Sequence, residues 1–331
     1  MDIHLAPLNE SELLELLRNR ARHSEHTLTG NPATADLILL AGSFGIQPDL
    51  LLRHPLYLRY RDRCAVYTED DNYLPLAPGV YCSAQLDEHS RAGRTFSYSY
   101  VSRDGQYSNP FVGSAVAPAK SLLFSFQGGS TSLVRKRLFN LRFRRPDVLI
   151  ENTSSYYHWD LHQPDREDRQ LRYARTLASS HFVLCPRGAG TGSIRLFEVM
   201  SAGIAPVLIS DNYLLPAGVD WSSFLLQISE KDIGRLPELI QPHLASSAQR
   251  GRLAQAAWRQ HFAPEQEFDE IVASCFKALH HGPPDEAVFI RKQRVTIARA
   301  ENRRKLRSFA RSTFLKVFQL LHRKPPFQMN R

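Results

Sequence analysis

Short, unbroken apolar runs recur through the first two-thirds of the chain, at residues 37–41, 64–67, 121–126, 148–150, 181–185 and 205–209. They do not alternate with polar positions, as expected of strands covered on both faces. Between several of them the apolar positions shift to helical spacing, at 132–141 and 193–202. Near the start, Leu13, Leu14, Leu16 and Leu17 mark one face of a short amphipathic helix. Strands alternating with helices predict a parallel α/β sheet. Residues 75–118 break the pattern with Tyr, Ser, Gly and Pro, and predict loops and short irregular elements inserted in a first domain. Residues 160–175 are strongly charged and predict an exposed helix or linker. From 237 to 281 apolar positions such as Leu239, Leu244, Phe268 and Ile271 return at helical spacing, and Pro283-Pro284 then break the chain.

With 331 residues, two domains of roughly 100–200 residues each are expected. The charged stretch sets their limits: residues 1–160, residues 161–282, and a tail at 283–331. The first twenty residues mix Asp2, Glu10, Glu12 and Glu15 into the leucines, so no secretory leader is expected. Nor does any run reach the ~18 apolar residues of a membrane span. Cys64, Cys82, Cys185 and Cys275 are scattered without a C-x-x-C pair, which predicts buried free thiols and a cytoplasmic protein. The net charge of +9 belongs to the tail: residues 291–331 carry thirteen Lys or Arg against one acid, Glu301, and the rest of the chain sums to about −3. A nucleic-acid-binding body is therefore not expected.

Candidate chemistry concentrates in residues 181–203. A buried strand ends at Pro186, a loop with Gly188, Gly190 and Gly192 follows, and a helix begins near Ser193. A second buried strand starts at Ala205. Ligands of open α/β sheets bind at such a turn. Glycines there allow close backbone approach, and a helix N-terminus offers free N–H groups to a phosphate. Arg187 adds bidentate donors suited to a diphosphate. Arg195 and Glu198, three apart, share a helix face, and Glu198 can accept hydrogen bonds from a ribose diol. The spacing fits neither the dinucleotide fingerprint nor a P-loop. On spacing alone, a plain strand–helix turn with an Arg–Glu surface pair accounts for it as well.

The residues carry more than spacing. Cys185-Pro186-Arg187-Gly188 is followed by Ser193-x-Arg195-Leu196-Phe197-Glu198, Ala202-Gly203-x-x-Pro206-Val207, and Ile209-Ser210-Asp211-x-Tyr213-x-Leu215-Pro216. Asp220-Trp221-Ser222-x-Phe224 and Glu230-Lys231-Asp232 continue the series, and Phe126-Gln127-Gly128 extends it weakly upstream. Together they resemble the exostosin family of glycosyltransferases. The resemblance implies an α/β, GT-B-like fold, two Rossmann-like domains facing a cleft, with helices at the C-terminus. It implies inverting transfer from a UDP- or GDP-sugar held by the C-terminal domain, with no cofactor and no obligatory metal. Carried over by position, Arg187, Gly188, Gly190, Ser193, Arg195 and Glu198 become donor-site residues, with Asp211 and Tyr213 in the next strand–helix loop. Animal members carry an N-terminal anchor and are longer; both departures predict a compact, cytoplasmic, bacterial-type relative acting in surface polysaccharide synthesis.

Inversion needs a base facing the donor. Glu69, Asp70 and Asp71, after the strand at 64–67, are the first candidates, although an acidic turn explains them equally. His158 and Asp160, beside aromatic residues, are the second. Glu230 either meets the donor or, with Ser229 and Asp232, belongs to a capping pattern, the preferred reading. Trp221 and His181 read as structural, and Arg135, Lys136 and Arg137 as a solvated helix face. The basic tail predicts a helix that either lies on an anionic membrane surface, suiting a lipid-linked glycan acceptor, or packs back on the body. A GDP-sugar enzyme such as a fucosyltransferase, and a non-catalytic membrane-associated protein of the same fold, are the alternatives.

Overall fold

A computed structural model describes residues 1–46, 48–115, 119–156 and 160–281, with two further positions at 295 and 298. The readings of the basic tail and of His158 lie outside the described residues. Two parallel sheets, each flanked by helices, form the compact unit Met1–His281.

The first sheet contains β1 (Asp2–Pro7), β2 (Thr27–Leu28), β3 (Leu37–Gly42), β4 (Cys64–Thr68), β5 (Gly79–Tyr81) and β6 (Thr95–Phe96), in the order β2-β1-β3-β4-β5-β6. Its helices are α1 (Leu13–Ala21), α2 (Pro48–Leu52), α3 (Pro55–Arg59) and α4 (Glu88–Arg91). Every residue of β3 and β4 is buried, which is why their sequences are apolar without alternation. The region 75–118, expected to be irregular, instead supplies β5 and β6. Both are too short to show a period: three and two residues.

The second sheet contains β7 (Leu122–Gly128), β8 (Val148–Asn152), β9 (Ser180–Pro186), β10 (Ala205–Ile209) and β11 (Leu226–Gln227), in the order β11-β10-β9-β7-β8. Helices α5 (Leu133–Asn140), α6 (Arg166–Ala178) and α7 (Ile194–Ser201) connect its strands, and α8 (Leu236–Ile240), α9 (Ser247–His261) and α10 (Pro264–His280) end the unit. The change of sheet therefore falls between Phe96 and Leu122, earlier than the boundary expected at 160. The cause is pairing: β7 and β8 hydrogen-bond to each other and β7 to β9, a fact no local pattern records.

The last helix returns to the first sheet, where α10 packs on β3, β4, β5 and β6 and against α1. One apolar core consequently runs through both sheets, from Leu39 and Tyr67 to Val183, Leu196, Phe262 and Ile271. A second cluster, with Phe124, Phe126, Leu138 and Ile233, covers the far face of the second sheet. The four cysteines are buried and unpaired, and burial pushes the thiols of Cys64 and Cys185 up to about 12. Two Rossmann-like sheets with C-terminal helices are the GT-B-like architecture that the resemblance implies.

Candidate active site

Each sheet has one place where the strand order reverses. The chain goes from β1 outward to β2 and returns past β1 to β3; likewise it goes from β7 to β8 and returns to β9. Ligands bind at such points, beyond the carboxyl ends of the strands. Here both points face one cavity of about 760 Å³, a size typical of small-molecule sites. Ser11, Glu12, Ser43 and Phe44 form its wall on the first sheet; Gln127, Gly128, Glu151, Arg195 and Glu198 form the wall on the second.

The second wall is cationic, because two helices begin there with an arginine in their first turn. Ser132 caps α5: its hydroxyl accepts from the Arg135 N–H (3.3 Å) and donates to the Arg187 carbonyl (3.0 Å). Arg135 then reaches under the β9 turn, its Nη2 3.0 Å from the Pro186 carbonyl and its Nε 3.0 Å from that of Arg187. On α7, Arg195 donates through Nη2 to the Gln127 carbonyl (2.5 Å) and through Nε to the Tyr173 hydroxyl (3.0 Å). Both guanidiniums lie over the Phe126 ring, at 5.5 Å for Arg135 and 4.7 Å for Arg195. A Cβ at Gly128 would stand 3.3 Å from either Nη atom of Arg195, so glycine leaves that guanidinium its place.

Two charges held this close resist burial. Burial first, and then Arg195, push Arg135 down to about 9. For Arg195 burial acts the same way, but Tyr173 and Glu198 outweigh it and hold its value above the ordinary one. Arg195 Nη1 and Gln127 Oε1 are buried with no hydrogen-bond partner, a state that costs about 1–3 kcal/mol per group. An anion accepting from Arg195 Nη1 would remove that part of the cost. Beside them, Glu198 Oε2 accepts from the Tyr173 hydroxyl (3.0 Å), and Glu151 is tied to Gln127 (2.7 Å) and to Arg172.

Of the expected donor residues, Arg195 and Glu198 line the cavity. Arg187 does not: it makes a two-pronged ion pair with Glu230, at 2.6 and 3.1 Å. The Glu230 N–H in turn donates to Asp211 (2.9 Å), so Asp211 holds this pair's backbone. The capping pattern read at 229–232 does not form, since Ser229 makes no side-chain cap. Tyr213 is fully buried and accepts from Ser97. Ser193 is also buried, with its hydroxyl unpartnered. Trp221 donates to the Pro216 carbonyl and His181 meets Ser247, structural contacts as expected.

Glu69, Asp70 and Asp71 follow β4, one strand away from the first sheet's reversal, and among the described residues neither they nor Asp160 line the cavity. Glu69 is fully buried; burial pushes its carboxyl up, while the Ser102 N–H (3.0 Å) and the Tyr67 hydroxyl (2.9 Å) fix Oε1. Asp70 accepts from the Ile46 and Asn72 N–H groups, as an acidic turn does. Asp71 is pressed against the glycine loop, and burial raises its pKa despite the Gly190 N–H. Asp160 accepts from the His162 N–H in an exposed turn. Glu12, Tyr173 and Arg135 also line the cavity, without a place among the expected site residues. The signal for Arg135 was the layout strand–Gly128-Gly129–Ser132–helix, which repeats that at 186–195.

The glycines have separate duties. A Cβ on Gly188 would meet Arg135 and Thr131 at 3.7 Å, an ordinary contact, whereas one on Gly190 would stand 2.2 Å from Ser83 Oγ and 2.9 Å from the Asp71 carbonyl. Gly190 thus lets the 187–193 loop close on the first sheet's loops. Gly190→Ala is expected to cost about 1–3 kcal/mol from overpacking and Gly188→Ala much less. Thermal melts of the two variants compare them, and equal melting temperatures would contradict this assignment.

The family model described as the Exostosin GT47 domain matches residues 87–242, which include every strand of the second sheet. The Exostosin-1 homolog of Caenorhabditis elegans is 32% identical over 134 residues, 37% of this chain and 35% of that protein. Exostosin-1 of Drosophila melanogaster is 29% identical over 184 residues, 51% of this chain and 24% of its own length. A probable glucuronoxylan glucuronosyltransferase of Arabidopsis thaliana is 36% identical over 84 residues, 25% of this chain and 18% of its own. The chain thus spans about a third of the nematode relative and a quarter of the fly relative.

Proposed function

We propose that the cavity of this chain, whose residues 87–242 match the Exostosin GT47 domain, carries an inverting transfer from a nucleotide sugar to a glycan. The single observation that carries the reading is Arg195. It is a guanidinium with a buried, unpartnered Nη1, stacked on Phe126 beside Arg135. A UDP- or GDP-sugar sets its diphosphate against these two arginines, and Glu198, oriented by Tyr173, accepts from the ribose diol. Charge that develops on the leaving diphosphate falls on donors already in place, which is where such sites gain most of their rate. The acceptor enters along the first sheet, where Phe44 is 58% exposed and presents an apolar face to a sugar ring. We take that acceptor to be a growing polysaccharide or a lipid-linked glycan of a surface-polysaccharide pathway in the cytoplasm. A lipid-linked acceptor would bring the basic tail to an anionic membrane.

The test is binding. UDP or GDP at one hundred times its Kd should stabilise the chain by about 2.7 kcal/mol, seen as a raised melting temperature, and Glu198→Ala should reduce the shift. No shift with either nucleotide contradicts the reading.

A further inference from the structure

We propose that Glu12 is the catalytic base of the transfer, the carboxylate that takes the proton from the acceptor hydroxyl; the proposal rests on the reading of the cavity as the donor site. Three carboxylates line the cavity among the described residues: Glu12, Glu151 and Glu198. Glu151 is held by Gln127 and Arg172, and Glu198 by Tyr173. Only the Glu12 carboxylate has no hydrogen-bond or ion-pair partner among the described residues, and it does not cap its own helix.

Its position suits the chemistry. Glu151 and Glu198 belong to the wall that carries the arginines, whereas Glu12 stands on the first-sheet wall, where the chain turns from β1 into α1. In a single displacement the base must lie on the side of the anomeric carbon away from the diphosphate. The fold also holds it there. The Leu16 N–H donates to the Glu12 carbonyl (3.0 Å), and Leu13 and Leu17 anchor α1 in the core. A Cβ on Gly105 would stand 2.7 Å from Glu12 Oε1, so glycine at 105 leaves the carboxylate its place. Among the described residues no histidine lines the cavity.

The step balances. The acceptor O–H bond breaks and its proton passes to a Glu12 oxygen. The freed electron pair forms the bond to the anomeric carbon. The bond from that carbon to the diphosphate oxygen breaks, its pair leaves on the diphosphate facing Arg135 and Arg195, and Glu12 later returns its proton to solvent.

The full chain is tested with UDP-glucuronate, UDP-N-acetylglucosamine, UDP-galactose, GDP-mannose and GDP-fucose. Nucleotide release is followed with water and with mixed oligosaccharides as acceptors, and UDP and GDP affinity is titrated separately. Glu12→Gln should lower kcat by about 10²–10⁴-fold, remove the acidic limb of its pH profile, and leave nucleotide affinity and melting temperature unchanged. Glu12→Asp should recover part of the rate. Gly105→Ala should lower kcat without changing affinity. Wild-type turnover by Glu12→Gln overturns the proposal. Failure of the wild type to bind either nucleotide instead overturns the donor-site reading itself.

Discussion

Arg195→Ala should weaken UDP binding by about 10–100-fold, leave uridine binding unchanged, and lower transfer by a further factor of about 10²–10³. The difference between the two ligands is the diphosphate. A charge-assisted hydrogen bond is worth about 1.5–3 kcal/mol, and Arg195 keeps one buried Nη1 donor unspent inside the protein. The larger effect on rate arises because the leaving diphosphate gains charge as the sugar departs, so the lost donor matters more in the transition state than in the complex. Arg195→Lys should not restore binding. Lysine has one point charge, and it cannot keep the contacts to Gln127 and Tyr173 and the stack on Phe126 together. Titration with UDP and uridine measures the ratio, and equal losses for both ligands would mean that the substitution damaged the wall generally.

The second large effect concerns the strap that joins the sheets. Glu267, fully buried in the first turn of α10, lies 2.7 Å from Arg20 on α1 and 2.7 Å from Arg103 after β6. Arg103 is itself 3% exposed in its side chain and donates to the Phe262 carbonyl (2.6 Å). Burial disfavours its charge, and Glu267 and Asp104 more than offset that. Glu267→Ala would leave two guanidiniums facing a cavity, and breaking a buried pair in this way costs about 3–5 kcal/mol. Urea denaturation should show the midpoint falling with the slope unchanged. Because α1 starts at the proposed base, nucleotide turnover should fall with stability while UDP affinity at low temperature persists. A loss under about 1 kcal/mol would contradict the view that α10 fixes α1 through this acid.

What was legible in the sequence follows from how local each signal is. Arg195 and Glu198 stand at the start of a helix after a buried strand, so their side of the cavity could be read from a single strand–turn–helix stretch. Arg187 stands in the same stretch, yet its partner Glu230 is 43 residues away, and nothing local marks the pair. Arg135 sits next to Lys136 and Arg137, which are exposed; composition says nothing about which of three adjacent cations faces inward. Residues 69–71 were read as base candidates for a related reason. Residues 69–71 follow the apolar strand β4, whereas β1 reads Asp-Ile-His-Leu-Ala-Pro, with polar residues that hide it. Without β1 the reversal point of the first sheet cannot be placed, and Glu12 looks like one more acid in a leucine-rich helix. The change of sheet between Phe96 and Leu122 leaves no local mark, because a strand's own residues do not say which sheet it will join.

A crystal structure of the full chain with UDP locates the diphosphate directly. The diphosphate is expected against Arg135 and Arg195, with Arg195 Nη1 within hydrogen-bond distance of a phosphate oxygen, and the ribose on Glu198. UDP bound elsewhere, or bound here with its phosphates on Arg187 and the Phe126 side vacant, would contradict it.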